Sequence, residues 1–291
     1  MIFLNRYVVH PNAKINLGLN VFEKYKDGYH ELDTIMLPIS IEDELDVLIF
    51  DKKGNLNITC TDKKIPTDEK NILYKTYKKF FEKIKKEEIE IRVHLKKIIP
   101  CEAGLGGGSA DAGFFLKILN DFYNSYFTIG ELEEIALEIG SDVPFFIRNK
   151  SSRIRNKGEK IDILENNISS QIVVIKPEFG ISTKLAYENF DKLQKIKYSN
   201  FDEIIKSIKE NNIYLLEKNI EKCLEQAIEN NSDTNLLKSS LKAVLPNKRF
   251  FMSGSGSSFY TFVSKDELDF VETRLRTFLD GVQIFICNIK K

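Results

Sequence analysis

Four of the chain's fifteen glycines fall within five residues, Gly104-Leu105-Gly106-Gly107-Gly108, and Ser109 follows them. Lacking a Cβ, such residues enter positive φ freely and let backbone N–H groups converge on one point. An alternating strand pattern, Ile89 to Leu95, precedes the stretch. A helical pattern follows it, Ala110 to Tyr123, with Ala112, Phe115, Leu116 and Leu119 on one face. A glycine loop opening a helix is a cradle for phosphate, because the first amides and the dipole both favour an anion. Ser109 is placed to cap that helix, and Asp111 in its first turn is expected to face away from a bound phosphate. A flexible connector is the alternative, but connectors are flanked by polar residues rather than by patterned elements. No lysine follows the glycines, so this is not a P-loop. Several residues separate Leu95 from Gly104, and the next element is another helix, so the dinucleotide fingerprint fails as well.

The first sixty residues read as strands. From Asn12 the chain alternates, with Ala13, Ile15, Leu17, Leu19 and Val21 on one face and Asn12, Lys14, Asn16, Gly18 and Asn20 on the other. Asn is depleted in strands, so this polar face belongs either to a solvated edge or to the wall of a site. Lys26-Asp27-Gly28 supplies a hairpin turn, Glu44 to Phe50 another strand, and Asn71 to Ile84 a helix. Thr128 and Glu131 form a capping box for a helix that Gly140 closes. Asp142 then sits just past a helix C-terminus, where the dipole disfavours a carboxylate, and Val143-Pro144 predicts extended chain. An acid held there invites a cation such as Lys14.

A domain boundary is placed in the polar stretch Leu164 to Gln171, dividing the chain into 1–165 and 166–291. The second half opens with a strand, Ile172 to Ile175, and continues through polar helices between Phe201 and Val244. It ends as strand (Phe250, Phe251), a Ser253–Ser258 turn, strand (Phe259 to Val263), helix (Lys265 to Leu279) and strand (Val282 to Ile286). Ser264 and Glu267 box that last helix. The class is α+β in two halves, since helices and strands do not alternate regularly enough for a doubly wound sheet.

Charge narrows the partners. Forty-three Lys and Arg balance forty-three Asp and Glu, which argues against nucleic acid or an anionic membrane as ligand. The four cysteines are scattered with no CxxC pair, which fits reduced thiols in the cytoplasm. The Met1–Tyr7 run lacks a signal-peptide layout, and no apolar stretch approaches the ~18 residues of a membrane span. His10 and His94 read as structural.

Taken together, Ala13-Lys14-Ile15-Asn16-Leu17, Asp27-Gly28-Tyr29-His30, Asn71-Ile72-Leu73-Tyr74-Lys75, Gly104 to Asp111, Ser141-Asp142-Val143-Pro144-Phe145 and Ser253-Gly254-Ser255-Gly256 resemble, in order, the GHMP superfamily of small-molecule kinases. The glycine loop marks only the superfamily. The Lys14, Tyr29-His30 and Asp142 runs together resemble its branch acting on a cytidine-diphosphate-linked methylerythritol in the non-mevalonate isoprenoid route.

That resemblance implies an N-terminal mixed β/α domain carrying the phosphate loop and a C-terminal domain of ferredoxin-like type. It implies Lys14 and Asp142 as the catalytic pair. Gly104, Gly106, Gly107, Gly108, Ser109 and Asn71 would then lie on ATP, and Asn16, Tyr29, His30 and Tyr187 on the cytidyl substrate. Mg²⁺ is expected with the ATP, without an assigned protein ligand, in a monomer or weak homodimer. The competing expectations are a GHMP kinase for a homoserine- or mevalonate-type alcohol, and a non-catalytic nucleotide- or RNA-binding protein on this fold. Two runs depart from the pattern: the basic segment Arg148 to Arg153, and Asn156-Lys157-Gly158-Glu159 in place of Gly-x-Gly-Glu.

Overall fold

A computed structural model describes residues 4–26 and 28–291; Met1 to Phe3 and Asp27 of the expected hairpin turn lie outside the described residues. The first half runs β1 (Asn5–Val9), β2 (Asn12–Lys24), β3 (His30–Glu42), β4 (Glu44–Lys53), β5 (Leu56–Cys60), α1 (Ile72–Ile84), β6 (Ile89–Lys96), α2 (Gly107–Phe122), α3 (Ile129–Ile139), α4 (Val143–Arg148), β7 (Ser152–Asn156) and β8 (Lys160–Ile163). The second runs β9 (Gln171–Pro177), α5 (Thr183–Phe190), α6 (Phe201–Glu210), α7 (Ile213–Asn219), α8 (Cys223–Ala227), α9 (Ser232–Val244), β10 (Phe251–Met252), β11 (Phe259–Val263), α10 (Leu268–Phe278) and β12 (Val282–Cys287). Lys265–Glu267 forms a 3₁₀ turn ahead of α10, so the expected single helix is a two-part element behind its Ser264–Glu267 box.

Three four-stranded sheets result, ordered β1-β4-β6-β5, β2-β3-β7-β8 and β10-β11-β9-β12. In the first, β5 and β6 are parallel and the other pairs antiparallel. The third is wholly antiparallel; its order and its strand–helices–strand–strand–helix–strand succession are those of the ferredoxin-like split βαβ.

Period-two alternation decides where the cores lie. Ile172 and Val174 of β9 face a core shared with Ala13, Ile15 and Leu17 of β2, whereas Val173 and Ile175 face the core under α5, α8, α9 and α10. A separate core joins the first sheet to α1, α2 and α3, with Tyr77, Phe80 and Phe115 fully buried in it. The β2 strand is therefore covered on both faces. Asn12, Lys14, Asn16 and Asn20 are all buried, so the polar face is no solvated edge.

One irregularity matters for the site. Asn16 pairs with Met36 and Leu19 with Thr34, so β2 carries one extra residue between them. Gly18 takes φ +74° in this bulge, and a Cβ there would collide with the Ser199 hydroxyl.

Candidate active site

A cleft of about 1290 Å³ opens between the halves, and it gathers Lys14, Asn16, Tyr29, His30, Gly104, Gly106, Gly107, Gly108, Ser109, Asp142 and Tyr187. Positions scattered from 14 to 187 in the chain thus share one wall system. Asn71 is the exception. It caps α1, its side-chain oxygen accepting from the Leu73 N–H at 2.8 Å and its amide donating to the Pro66 carbonyl at 2.6 Å. Its neighbour Ile72 lines the cleft in its place.

At the centre, Lys14 Nζ donates to Asn16 Oδ1 at 2.7 Å and lies 3.3 Å from Asp142 Oδ2. Asn16 Nδ2 donates to Thr34 Oγ1 at 2.9 Å, and that hydroxyl donates to the Gly18 carbonyl at 2.8 Å. Asn16 is thus the bracket of Lys14, with both ends of its amide engaged. The Lys14 side chain is 4 % exposed and that of Asp142 34 %. The ammonium is therefore desolvated and tolerable only because it is paired, while the carboxylate remains open to the cleft.

The setting of Asp142 corrects the expectation of extended chain. Asp142 is the N-cap of α4, and Pro144 lies in the first helical turn, where its missing N–H costs nothing. Burial of Val143, Phe145 and Phe146 overrides the local bias of a residue before proline. The carboxylate consequently sits at the positive end of a short helix rather than only beyond the negative end of α3.

The phosphate loop is also cut differently from the expectation. Helix α2 begins at Gly107, its N-cap is Gly106 at φ +72°, and no side chain caps it. Ser109 is inside the first turn, so the amides of Gly107, Gly108 and Ser109 have no intrahelical acceptor and are available to an anion. The Ser253–Ser258 turn packs beneath this loop. Ser253 Oγ donates to the Gly104 carbonyl at 2.9 Å, and the Ser257 and Ser258 N–H groups donate to Glu102 and Ala103, each at 3.2 Å. A Cβ on Gly104 would overlap the Ser253 carbonyl, at a residue already held at φ +69°. Gly254, Ser255 and Gly256 join the cleft wall, so this segment is more than a turn between strands.

Asp111 does face away from the cleft. It is buried 3.0 Å from Lys97, which also pairs with Asp43; Asp43 accepts the Ile98 and Ile99 N–H groups. Burial, and then the Asp43 charge, push the Asp111 carboxyl up to about 8 against the opposing pull of Lys97. Lys97 also lines the cleft. Nothing in its local sequence marks it, because its partners come from β3–β4 and α2.

On the far wall, His30 Nε2 donates to Asp191 Oδ1 at 2.6 Å, and the ring stacks on Tyr187 with centroids 5.1 Å apart. Burial opposes ionisation of Asp191, but hydrogen bonds from His30 and Lys24 hold it below its ordinary value. Burial raises the Tyr187 phenol above its ordinary value. Tyr29 is 58 % exposed, and the Lys157 ammonium lies 5.9 Å from its ring. The two departing runs are accommodated. Asn156 takes φ +61°, which Asn tolerates better than other non-glycine residues, and Arg153 is paired with Asp33 at 2.7 Å.

Residues 71–150 match the model of the GHMP kinase N-terminal domain. Over 289 residues, covering 99 % of this chain and 98 % of the other, the sequence is 56 % identical to the 4-diphosphocytidyl-2-C-methyl-D-erythritol kinase of Fusobacterium nucleatum subsp. nucleatum. The chain belongs to this kinase family. The family member of Clostridium botulinum strain Loch Maree is 38 % identical over 86 % of this chain and 88 % of its own. A crystal structure of a 4-(cytidine 5'-diphospho)-2C-methyl-D-erythritol kinase superimposes with a TM-score of 0.78 at 26 % identity, covering 98 % and 100 % of the two chains. Homoserine kinase from Cytophaga hutchinsonii reaches the same TM-score at 18 % identity, with 99 % and 97 % covered. The fold is thus common to kinases of several alcohols, and membership of this family rests on sequence identity. No helix among the described residues is long and apolar enough to cross a membrane.

The raised Asp111 carboxyl has a consequence for stability. Its native form holds a proton that the unfolded chain has released above about pH 4, so stability falls as pH rises towards 8. Urea midpoints of the wild type should decline between about pH 5 and 8 and level off above that, and Asp111→Asn should flatten the decline.

Proposed function

We propose that the chain transfers the γ-phosphoryl group of ATP to a hydroxyl of 4-diphosphocytidyl-2-C-methyl-D-erythritol, a step of the non-mevalonate route to isoprenoid precursors. The observation that carries this reading is the Lys14–Asp142 pair, 3.3 Å apart on a cleft that also holds the glycine loop and the Tyr29–His30–Tyr187 set. Phosphoryl transfer needs in-line positioning and charge stabilisation more than covalent help from the protein.

In this reading Asp142 accepts, or orients, the proton of the acceptor hydroxyl. Being open to the cleft, it can reach the alcohol, and Lys14 behind it, 3.3 Å away, fixes its position. The Lys14 ammonium also offsets charge on the transferring group, in a dry position where that interaction is strong. The free amides at the start of α2 and the backbone around Gly104 and Gly106 receive the ATP phosphates. Among the described residues no three His, Cys, Asp or Glu side chains converge as a cation cage. The site instead fits a Mg²⁺ carried largely by phosphate and water, with the Ser109 hydroxyl and Asp142 carboxylate as nearby oxygen donors. The metal would supply neutralisation of phosphate charge.

Tyr29 and the open face of Tyr187 offer π-surfaces to the cytosine, and His30, fixed by Asp191, offers its Nδ1 edge. These groups favour a pyrimidine-bearing substrate over a small alcohol such as homoserine or mevalonate. The same reading takes residues 1–165 as the ATP-binding domain and 166–291 as the second, with β8 ending at Ile163 and β9 beginning at Gln171. It places the enzyme in the cytoplasm as a monomer or weak homodimer.

Coupled ADP release should be robust with the cytidyl-erythritol and negligible with homoserine or mevalonate; the reverse order would overturn the substrate assignment. Asp142→Asn should lower kcat by about 10²–10⁴-fold while ATP still binds, and a fully active variant would remove Asp142 from the base role. Tyr29→Ala should raise KM for the cytidyl substrate well above any change for ATP. Equal changes on both would count against stacking.

A further inference from the structure

Lys222 is buried and, among the described residues, has no ion-pair partner of its own. It lies just before α8, 3 % exposed, and its ammonium donates to the main-chain carbonyl of Asn16 while sitting 5.3 Å from the centroid of the Tyr260 ring. The Tyr260 hydroxyl donates to the same carbonyl at 2.8 Å. Glu225, the carboxylate whose charge bears most on Lys222, is instead paired with Lys238 at 2.8 Å and accepts the Met252 N–H. Desolvation of this kind is costly for an ammonium. Burial, with Lys14 adding and Glu225 opposing, brings the Lys222 amine down to about 7.

What makes the position informative is the strand it grips. The bulge at Leu17–Gly18 brings the Glu221–Lys222 segment alongside β2, with the Leu19 N–H donating to the Glu221 carbonyl at 3.2 Å and Leu19 bridging to Lys222. Both donors on the Asn16 carbonyl therefore come from the second half of the chain. The Asn16 side chain, one residue's width away, accepts from Lys14.

We propose that Lys222, with Tyr260, is a positioning residue for the phosphoryl-transfer centre, clamping the Asn16 backbone so that the Asn16 side chain presents Lys14 to Asp142 and the acceptor. The inference rests on Lys14 acting in catalysis as proposed above. It assigns Lys222 no contact with substrate. A buried lysine that merely filled space would be replaceable by methionine. A clamp on a catalytic bracket would not, because kcat depends on the Lys14 geometry whereas substrate binding does not.

The test compares Lys222→Met, Tyr260→Phe and the double variant with the wild type, using ATP and the cytidyl-erythritol. Lys222→Met should lower kcat about tenfold with both KM values within about twofold, and Tyr260→Phe should lower kcat about threefold in the same manner. The double variant should lose less than the product of the two, as groups sharing one acceptor do. Independently of any substrate, the ¹⁵N resonance of the Lys14 ammonium should shift in both single variants. A kcat within twofold of wild type for Lys222→Met, or an unmoved Lys14 resonance, would overturn the proposal. If Lys222→Met does not fold, Tyr260→Phe carries both readouts alone. A wild type inactive on the cytidyl substrate would refute the functional reading, whereas the Lys14 resonance decides the clamp separately.

Discussion

A desolvated ammonium is the constraint around which this site is organised. Lys14 is buried away from water, and it is tolerable there only because Asn16 and Asp142 receive it. Satisfying it requires β2 to run beneath the start of α4, Thr34 of β3 to hold the far end of Asn16, and the second half of the chain to close over the back of the strand. Removing any one support would leave a buried charge badly partnered, which costs far more than an ordinary contact.

The phosphate side obeys a complementary logic. It offers uncompensated N–H groups beside the fixed ammonium groups of Lys14 and Lys97. Gly106 ends the approach in a left-handed conformation, and the helix starts with nothing capping it. An uncapped helix end is a modest liability in the empty protein and an asset once a polyanion arrives. The buried Lys97–Asp43–Asp111 group stiffens the start of that helix from behind while keeping Asp111 away from the phosphates.

Much of this was legible in the residues themselves. The β2 alternation, the two capping boxes and the strand limits near Phe259–Val263 follow local periodicity and turn chemistry, and the glycine cluster announces its purpose directly. Pairing Lys14 with Asp142 is foreseeable as chemistry, since an acid held just past a helix C-terminus invites a cation, although its distance needs the fold. Asn71 is read from the motif alone: its side chain caps α1, and the residue beside it, Ile72, lines the cleft. Asp142 and Ser109 were misplaced relative to their helices because local rules about proline and hydroxyl caps yielded to the packing of Phe145 and Phe146 and to the conformational freedom of Gly106. Lys97 and Lys222 left no local trace, because a lone lysine is ordinarily a solvated residue and only burial reveals otherwise.

The turn at Ser253–Ser258 supports the nucleotide loop through hydrogen bonds from main chain and side chain, although it comes from the second half of the polypeptide. The Ser253 carbonyl can lie where it does only because Gly104 carries no Cβ to fill that space. Inheritance is thereby constrained: a chimera joining the front of one relative to the back of another would have to match these two loops atom for atom. Recombination at the polar stretch before β9 would cut few strand pairings yet break the site, so the two halves must change together.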